Sequence, residues 1–190
     1  MNQRPKPRAP GSVRIIAGSL RGSKLPVPDR PGLRPTSDRV RETLFNWLQP
    51  RLPGARVLDL FAGTGALGFE AASRGAAGVL LVERDPELAR SLREQAVRLK
   101  VERLQVVAED AIAWLGRKPE AVFDLVFLDP PFAAGLWEPA AAALAPWLAP
   151  GALIYVESPR NVVPSLPASW PVLRAGETRD VRYALHRAGD

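Results

Sequence analysis

Two short stretches hold the residues best suited to chemistry. The first is Val57-Leu58-Asp59-Leu60-Phe61-Ala62-Gly63-Thr64-Gly65-Ala66-Leu67-Gly68. It reads as a strand, a glycine-rich turn and the start of a helix. Gly63, Gly65 and Gly68 satisfy G-x-G-x-x-G, which lets the backbone turn sharply and lets a ligand approach it closely. On its own the motif also suits an ordinary strand–helix turn. Two further carboxylates narrow the reading. Glu83 ends the next strand, 20 residues after Gly63, where it can accept hydrogen bonds from both hydroxyls of a ribose. Asp110 follows the third strand at the same sheet edge, where it can hold an adenine amino group. Asp59 closes the first strand just before the turn. A carboxylate there disfavours a pyrophosphate and favours a cation. The pattern therefore tilts from NAD toward S-adenosylmethionine, which carries an ammonium and a sulfonium and no phosphate. The plain alternative for Asp59 is a carboxylate that caps the loop.

The second stretch is Phe123-Asp124-Leu125-Val126-Phe127-Leu128-Asp129-Pro130-Pro131-Phe132. An apolar strand ends in a turn whose two prolines remove two backbone donors and stiffen it. What projects is a set of acceptors beside an aromatic ring. An exocyclic amine on a nucleobase offers two N–H donors. Asp129 and the Pro130 carbonyl can bind those hydrogens, and Phe132 can stack on the base. A methyl sulfonium nearby would then face the amine lone pair, with placement and charge supplying much of the catalysis. A turn cap and a core ring are the bland readings of Asp129 and Phe132.

Alternating strands and helices must position these residues. Strands are expected at Arg56–Phe61, Gly78–Glu83, Leu104–Ala108, Phe123–Leu128 and Ala152–Glu157. Helices are expected from the glycine turn to about Arg74, over Pro86–Lys100 behind an Asp85 cap, over Ala111–Arg117, and over most of Leu136–Leu148. Such alternation predicts a mainly parallel sheet covered on both faces. Val172–Glu177 and Val181–His186 predict an antiparallel edge hairpin. Ahead of this body, Val13–Ala17 and Ser23–Val27 flank a Gly-bounded loop and predict a further hairpin. A helix capped by Thr36 or Ser37 follows to about Gln49, with Val40, Leu44, Trp47 and Leu48 as its apolar stripe. The expected organisation is a flexible basic tail at 1–12, a hairpin-and-helix extension at 13–50 and the α/β body at 51–190.

Composition narrows the chemistry further. The chain has 190 residues, no cysteine and a single histidine, His186. A disulfide framework, a thiol nucleophile, a Cys zinc site and a His-centred triad are thereby disfavoured, and no metal site is expected. His186 has no evident partner in the sequence. Residues 1–41 carry a net charge of +8 and the remainder −2. A basic extension on a near-neutral body points to a polyanion such as nucleic acid. No secretory signal is evident. The most apolar stretch, Leu136–Val156, contains Glu138 and three prolines and fails as a membrane span. A cytoplasmic protein without a membrane partner is the expectation.

The chain resembles RsmD-type 16S rRNA guanine-N2 methyltransferases. The likeness runs from Arg14-Ile15-Ile16-Ala17-Gly18 through Arg21-Gly22-Ser23-Lys24-Leu25 and Gly32–Leu48, then Asp59–Gly68, Glu83, Asp129–Phe132 and Ala152–Glu157. The block Arg34–Leu48 is its most family-specific part, because the Asp-Pro-Pro-Phe element occurs in other amino-methylating enzymes. The resemblance implies a Rossmann-like class I fold with a seven-stranded sheet. It also implies methylation of a guanine in small-subunit rRNA, guanine 966 in rRNA numbering, within an assembled or nearly assembled particle. S-adenosylmethionine would be the donor and S-adenosylhomocysteine the product; a monomer is expected because one small domain on a large RNA particle needs no partner copy. The candidate cofactor site comprises Asp59, Phe61, Gly63, Thr64, Gly65, Glu83, Arg84, Asp110 and Ala111. The catalytic candidates are Asp129, Pro130, Pro131 and Phe132. Arg14, Arg21, Lys24, Arg34 and Arg39 are the candidate RNA contacts; solvated edges and helix-surface ion pairs are their bland readings. One departure is Arg179 in the last hairpin, where the family commonly has glycine. A DNA adenine-N6 or cytosine-N4 methyltransferase would use the same tetrapeptide but has little room here for target recognition. An NAD-dependent oxidoreductase lacks an evident acid or base, and a non-catalytic rRNA-binding assembly factor would not need the intact site.

Overall fold

The computed structural model describes residues 11–28, 30 and 36–189. The candidate RNA contact Arg34 and residues 1–10 of the tail lie outside the described residues. The first strand, β1 (Gly11–Arg14), pairs antiparallel with β2 (Lys24–Val27), with Val13 opposite Leu25. The hairpin therefore starts two residues earlier than expected, at the last two positions assigned to the tail. Its loop is pressed against the body. Gly18 has φ +82°, and a Cβ there would lie 2.0 Å from the Ser73 carbonyl oxygen. Only glycine permits that approach.

Helix α1 (Asp38–Leu48) starts at Ser37, whose hydroxyl accepts from the Val40 N–H at 3.4 Å. It buries Val40, Leu44, Phe45 and Leu48. Trp47, expected on that stripe, sits half-buried at its margin and stacks on Tyr183 with ring centroids 5.6 Å apart.

The body follows in the order β3 (Arg56–Asp59), α2 (Ala66–Ser73), β4 (Gly78–Glu83), α3 (Pro86–Arg98), β5 (Leu104–Ala108), α4 (Ala111–Leu115), β6 (Phe123–Leu128), α5 (Trp137–Leu144), β7 (Leu148–Pro159), β8 (Val172–Glu177) and β9 (Val181–Arg187). Seven of these strands form one sheet in the order β5-β4-β3-β6-β7-β9-β8. The first five positions are parallel; β9 runs antiparallel between β7 and β8. The expected mainly parallel sheet with an antiparallel edge is thus present. Helices ended earlier than the periodicity suggested: α3 stops at Arg98, and Leu99 and Lys100 close it, Lys100 at φ +54°.

Alternating strand residues feed two cores. On one face Val57, Leu81, Phe127 and Tyr155 pack with Ile15 and Leu25 of the hairpin, Leu44 and Phe45 of α1, Phe69 of α2 and Leu92 of α3. The hairpin and α1 therefore share a core with the sheet. On the other face Leu58, Val82, Val126 and Ile154 pack with Trp114 of α4, Trp137 and Leu144 of α5, and Trp147 and Trp170. Four of the five tryptophans are core residues. His186 does have a partner, contrary to the sequence reading. It is buried, with Nδ1 3.0 Å from the Trp170 carbonyl oxygen, an atom brought there by the long loop before β8.

Candidate active site

The sheet order places the site. From β3 the chain moves outward through β4 and β5, then returns to the other side of β3 with β6. Connections leaving β3 and β6 depart in opposite directions, which opens a crevice beyond their carboxy ends. Asp59 ends β3 and pairs in register with Phe127, two residues before Asp129. Both carboxylates therefore lie at the mouth of that crevice, on the face shared with α1.

The glycine turn is held by its own carboxylates. Asp59, 3% exposed, accepts the Gly68 N–H through Oδ2 at 3.0 Å. Glu83 accepts the Gly63 N–H through Oε2 and the Asp85 N–H through Oε1, each at 2.8 Å. Gly65 has φ +76°, and a Cβ there would lie 2.6 Å from Leu92. A Cβ on Gly68 would lie 2.2 Å from Leu81. These glycines let α2 start tight against β4 and α3. Asp110 caps α4, accepting from Ile112 and Ala113 N–H through Oδ1 at 3.0 and 3.1 Å. Thr64 and Ala111 are buried beside these turns, Phe61 is half-buried, and Arg84 and Asp110 face solvent. Asp59 thus performs the loop-capping role held open for it and still stands at the strand end.

Electrostatics mark the same residues. Burial pushes the Asp59 carboxyl up to about 7, against the Gly68 hydrogen bond and reinforced by the negative charge of Glu83. Burial also raises Glu83, opposed by its two backbone hydrogen bonds. Asp129 is raised well above the usual carboxylate range, first by burial, then by the nearby charges of Glu157 and Asp59. The Thr36 hydroxyl, 3.4 Å from Asp129 Oδ2, opposes this rise. Such a cluster of unbalanced carboxylates is costly without a cationic or multiply donating ligand. Pro130 is buried; Pro131 and Phe132 are exposed on a short 3-10 turn, with the Phe132 ring 6.2 Å from Trp137.

The family described as Conserved hypothetical protein 95 matches residues 13–187. The chain belongs to this family. The "Ribosomal RNA small subunit methyltransferase D" of Escherichia coli K12 is 47% identical over 188 residues, covering 97% of this chain and 94% of that protein. The Haemophilus influenzae protein of the same name is 45% identical over 186 residues, covering 95% and 96%. The solved structure of the Escherichia coli protein yhhF superposes with a TM-score of 0.87 at 48% identity, covering 94% of this chain and 99% of that one. The resemblance to RsmD-type enzymes is borne out, and the fold is that of a Rossmann-like class I methyltransferase.

In this family member the donor set fits S-adenosylmethionine. Three acceptor carboxylates, Asp59, Glu83 and Asp110, lie at or just beyond three successive strand ends, a set suited to a ligand rich in cationic and N–H or O–H donor groups. Among the described residues no helix is long and apolar enough to cross a membrane, and no group of three or more His, Cys, Asp or Glu could hold a metal ion.

The basic candidates divide. Arg14, Arg21 and Lys24 are all exposed on the hairpin. Arg21 sits in the loop pinned to Ser73, which is the end of α2 away from Gly65: Ser19 N–H donates to the Ser73 carbonyl at 2.8 Å. It is therefore remote from the crevice. Arg39, in the first turn of α1 near Thr36, is exposed close to it. Two residues near the site were not placed there by the sequence. Thr36 reaches Asp129 and leaves capping to Ser37. Glu157, 5% exposed at the end of β7, accepts from the Tyr155 hydroxyl at 2.6 Å and bears on Asp129. The signal for Glu157 was register, since Asp129 and Glu157 each lie one residue beyond the paired Leu128 and Val156.

Proposed function

We propose that this protein transfers a methyl group from S-adenosylmethionine to the exocyclic N2 of a guanine in 16S rRNA of the small ribosomal subunit, guanine 966 in rRNA numbering. The observation that carries the reading is the juxtaposition of the Asp59 glycine turn and the Asp129-Pro130-Pro131-Phe132 turn at one crevice between β3 and β6. The rRNA and small-subunit assignment is supported by the names of the relatives.

When bound, S-adenosylmethionine supplies an electrophilic methyl carbon on a sulfonium. Asp59 faces the cationic amino-acid end, Glu83 accepts from the ribose hydroxyls and Asp110 from the adenine amine. The target guanine leaves its stack and lies against Phe132. Asp129 and the Pro130 carbonyl accept the two N–H groups of N2 and aim its lone pair at the cofactor side. Arg14, Arg21, Lys24 and Arg39 hold backbone phosphates.

Labelled S-adenosylmethionine offered to deproteinised 16S rRNA, to small subunits lacking the modification and to duplex DNA tests the proposal. N2-methylguanosine is expected in the subunits by nucleoside mass spectrometry. Label confined to DNA, or to another atom of the base, would overturn it.

Asp59 gives a second test. Its carboxyl is protonated in the folded protein until about pH 7, whereas in the unfolded chain it ionises near pH 4. Between these values the folded state holds the additional proton, so stability falls as pH rises through the window. A cationic ligand favours the ionised form. Affinity for S-adenosylmethionine should therefore fall as pH drops below about 7, approaching tenfold per pH unit, with proton uptake by buffer on binding. Asp59→Asn should bind weakly, lose this dependence and melt at a higher temperature than wild type at about pH 8. Calorimetry in two buffers of different protonation enthalpy reads the effect; pH-independent wild-type affinity would remove Asp59 from the cationic end.

A further inference from the structure

The cations assigned so far hold RNA mainly through the hairpin, whose tip lies at the far end of α2. That helix has 8 residues, or roughly 12 Å of rise, between the tip and the glycine turn. A base drawn out of its stack needs its backbone held nearer the crevice. We infer that the turn joining β8 to β9 is a second phosphate-binding surface for the RNA, with Arg160 and Arg179 as its donors. This rests on the rRNA reading above.

Position is the first argument. β7 runs parallel to β6, with Val156 opposite Leu128. It leaves the sheet at Pro159, which pairs with Val181 at the start of β9. β8 ends at Glu177 opposite Arg182. Arg160 and the turn Thr178–Asp180 therefore lie just beyond the sheet edge that carries Asp59, Glu83 and Asp129. β9 is two strands from β6, or about 10 Å, so the turn faces the nucleotides flanking the target and not the target itself.

Construction is the second. Thr178 N–H donates to the Val181 carbonyl at 2.8 Å, and the Thr178 hydroxyl accepts from Val181 and Asp180 N–H at 3.1 and 3.3 Å. Arg160 N–H donates to the Asp180 carbonyl at 3.0 Å, which ties the end of β7 to the turn. The exposed Arg179 is thus carried on a fixed apex. Arg160, Asn161, Arg179 and Asp180 border an open depression of about 530 Å³.

Charge is the third. The chain beyond residue 41 carries a net −2, yet here Arg160, Arg179 and Arg182 outnumber Glu177 and Asp180. Arg160 Nε lies 3.4 Å from Glu177 Oε2, with both side chains more than half exposed. Such a pair is weakly held in water. A phosphate, which a guanidinium grips in a two-pronged fork, is the stronger partner.

The experiment compares wild type, Arg179→Ala, the double variant Arg160→Ala/Arg179→Ala and Arg51→Ala, an exposed arginine at the other end of the sheet. Binding to small subunits lacking the modification is measured across a salt series, with methylation rates and S-adenosylmethionine affinity alongside. The slope of log affinity against log salt should fall by about 1 for the single and about 2 for the double variant. The KM for subunits should rise roughly tenfold in the double variant, with kcat, cofactor affinity and melting temperature retained. Arg51→Ala should match wild type. A double variant with wild-type slope and KM overturns the inference while wild type still methylates subunits. Wild type that methylates no RNA overturns this inference and the functional reading together.

Discussion

Asp129→Ala should reduce methyl transfer at least about a thousandfold while leaving S-adenosylmethionine affinity within a few-fold of wild type. The residue lies just past the end of β6 and touches none of the glycine-turn hydrogen bonds, which belong to Asp59 and Glu83. In the proposed function, alanine removes the acceptor that orients the amine. The pH profile tells more than the loss. Burial and the charges of Glu157 and Asp59 hold the Asp129 carboxyl well above its usual range, and its ionised form is the stronger acceptor for the N–H it is proposed to hold beside the Pro130 carbonyl. Single-turnover rates at saturating cofactor should therefore rise with pH along an acid limb set by Asp129. Asp129→Asn keeps one acceptor and the shape but loses that limb and most of the rate. Thr36→Val, which removes the hydroxyl that favours the carboxylate, should move the limb to higher pH. Near-normal activity in Asp129→Ala, or an unaltered limb in Asp129→Asn, would show that the carboxylate does not meet the amine.

Local patterns made much of this legible. Gly78–Glu83, Leu104–Ala108 and Phe123–Leu128 coincide with their strands because apolar runs bounded by turn residues determine them without help from distant contacts. Asp85 before Pro86 located the start of α3 for the same reason. What stayed hidden depends on who meets whom across the fold. Sequence spacing put Thr36 at a helix start, but only the docking of α1 over β6 brings its hydroxyl to Asp129, 93 positions away. Glu157 became part of the site through strand register. His186 found its partner in a loop whose path no periodicity encodes. Arg21 read as an RNA contact by charge alone, and the docking of Gly18 on Ser73 moves it from the crevice.

Arg41 is the sharpest of these cases. It stands among basic residues that read as a solvated or RNA-facing set, yet its side chain is fully buried. Its Nη2 donates to the Arg14 carbonyl at 2.9 Å and to Asp38 at 2.6 Å, and its Nη1 lies 3.6 Å from Glu70 Oε2. Glu70, also fully buried, accepts the Ile16 and Ala17 N–H groups at 2.8 and 3.0 Å and the Arg74 Nε–H at 2.7 Å. One carboxylate thus clamps the hairpin, α1 and α2 together. Glu70→Ala takes away one of the two carboxylate partners of the buried Arg41 guanidinium and strands two backbone donors, and should cost about 3–5 kcal/mol. For a chain of this size that lowers the melting temperature by roughly 10 °C or more. Hydrogen exchange should show the hairpin and α1 losing protection before β4 and β6. The double variant Glu70→Ala/Arg41→Met should recover part of the loss, since removing both charges is cheaper than stranding one. If the two single losses simply add, Arg41 and Glu70 are not coupled. In the proposed function the same clamp ties RNA holding to cofactor holding, because α2 begins just after Gly65 and ends beneath the hairpin loop. Glu70→Ala protein below its melting temperature should therefore lose affinity for RNA more steeply than for S-adenosylmethionine.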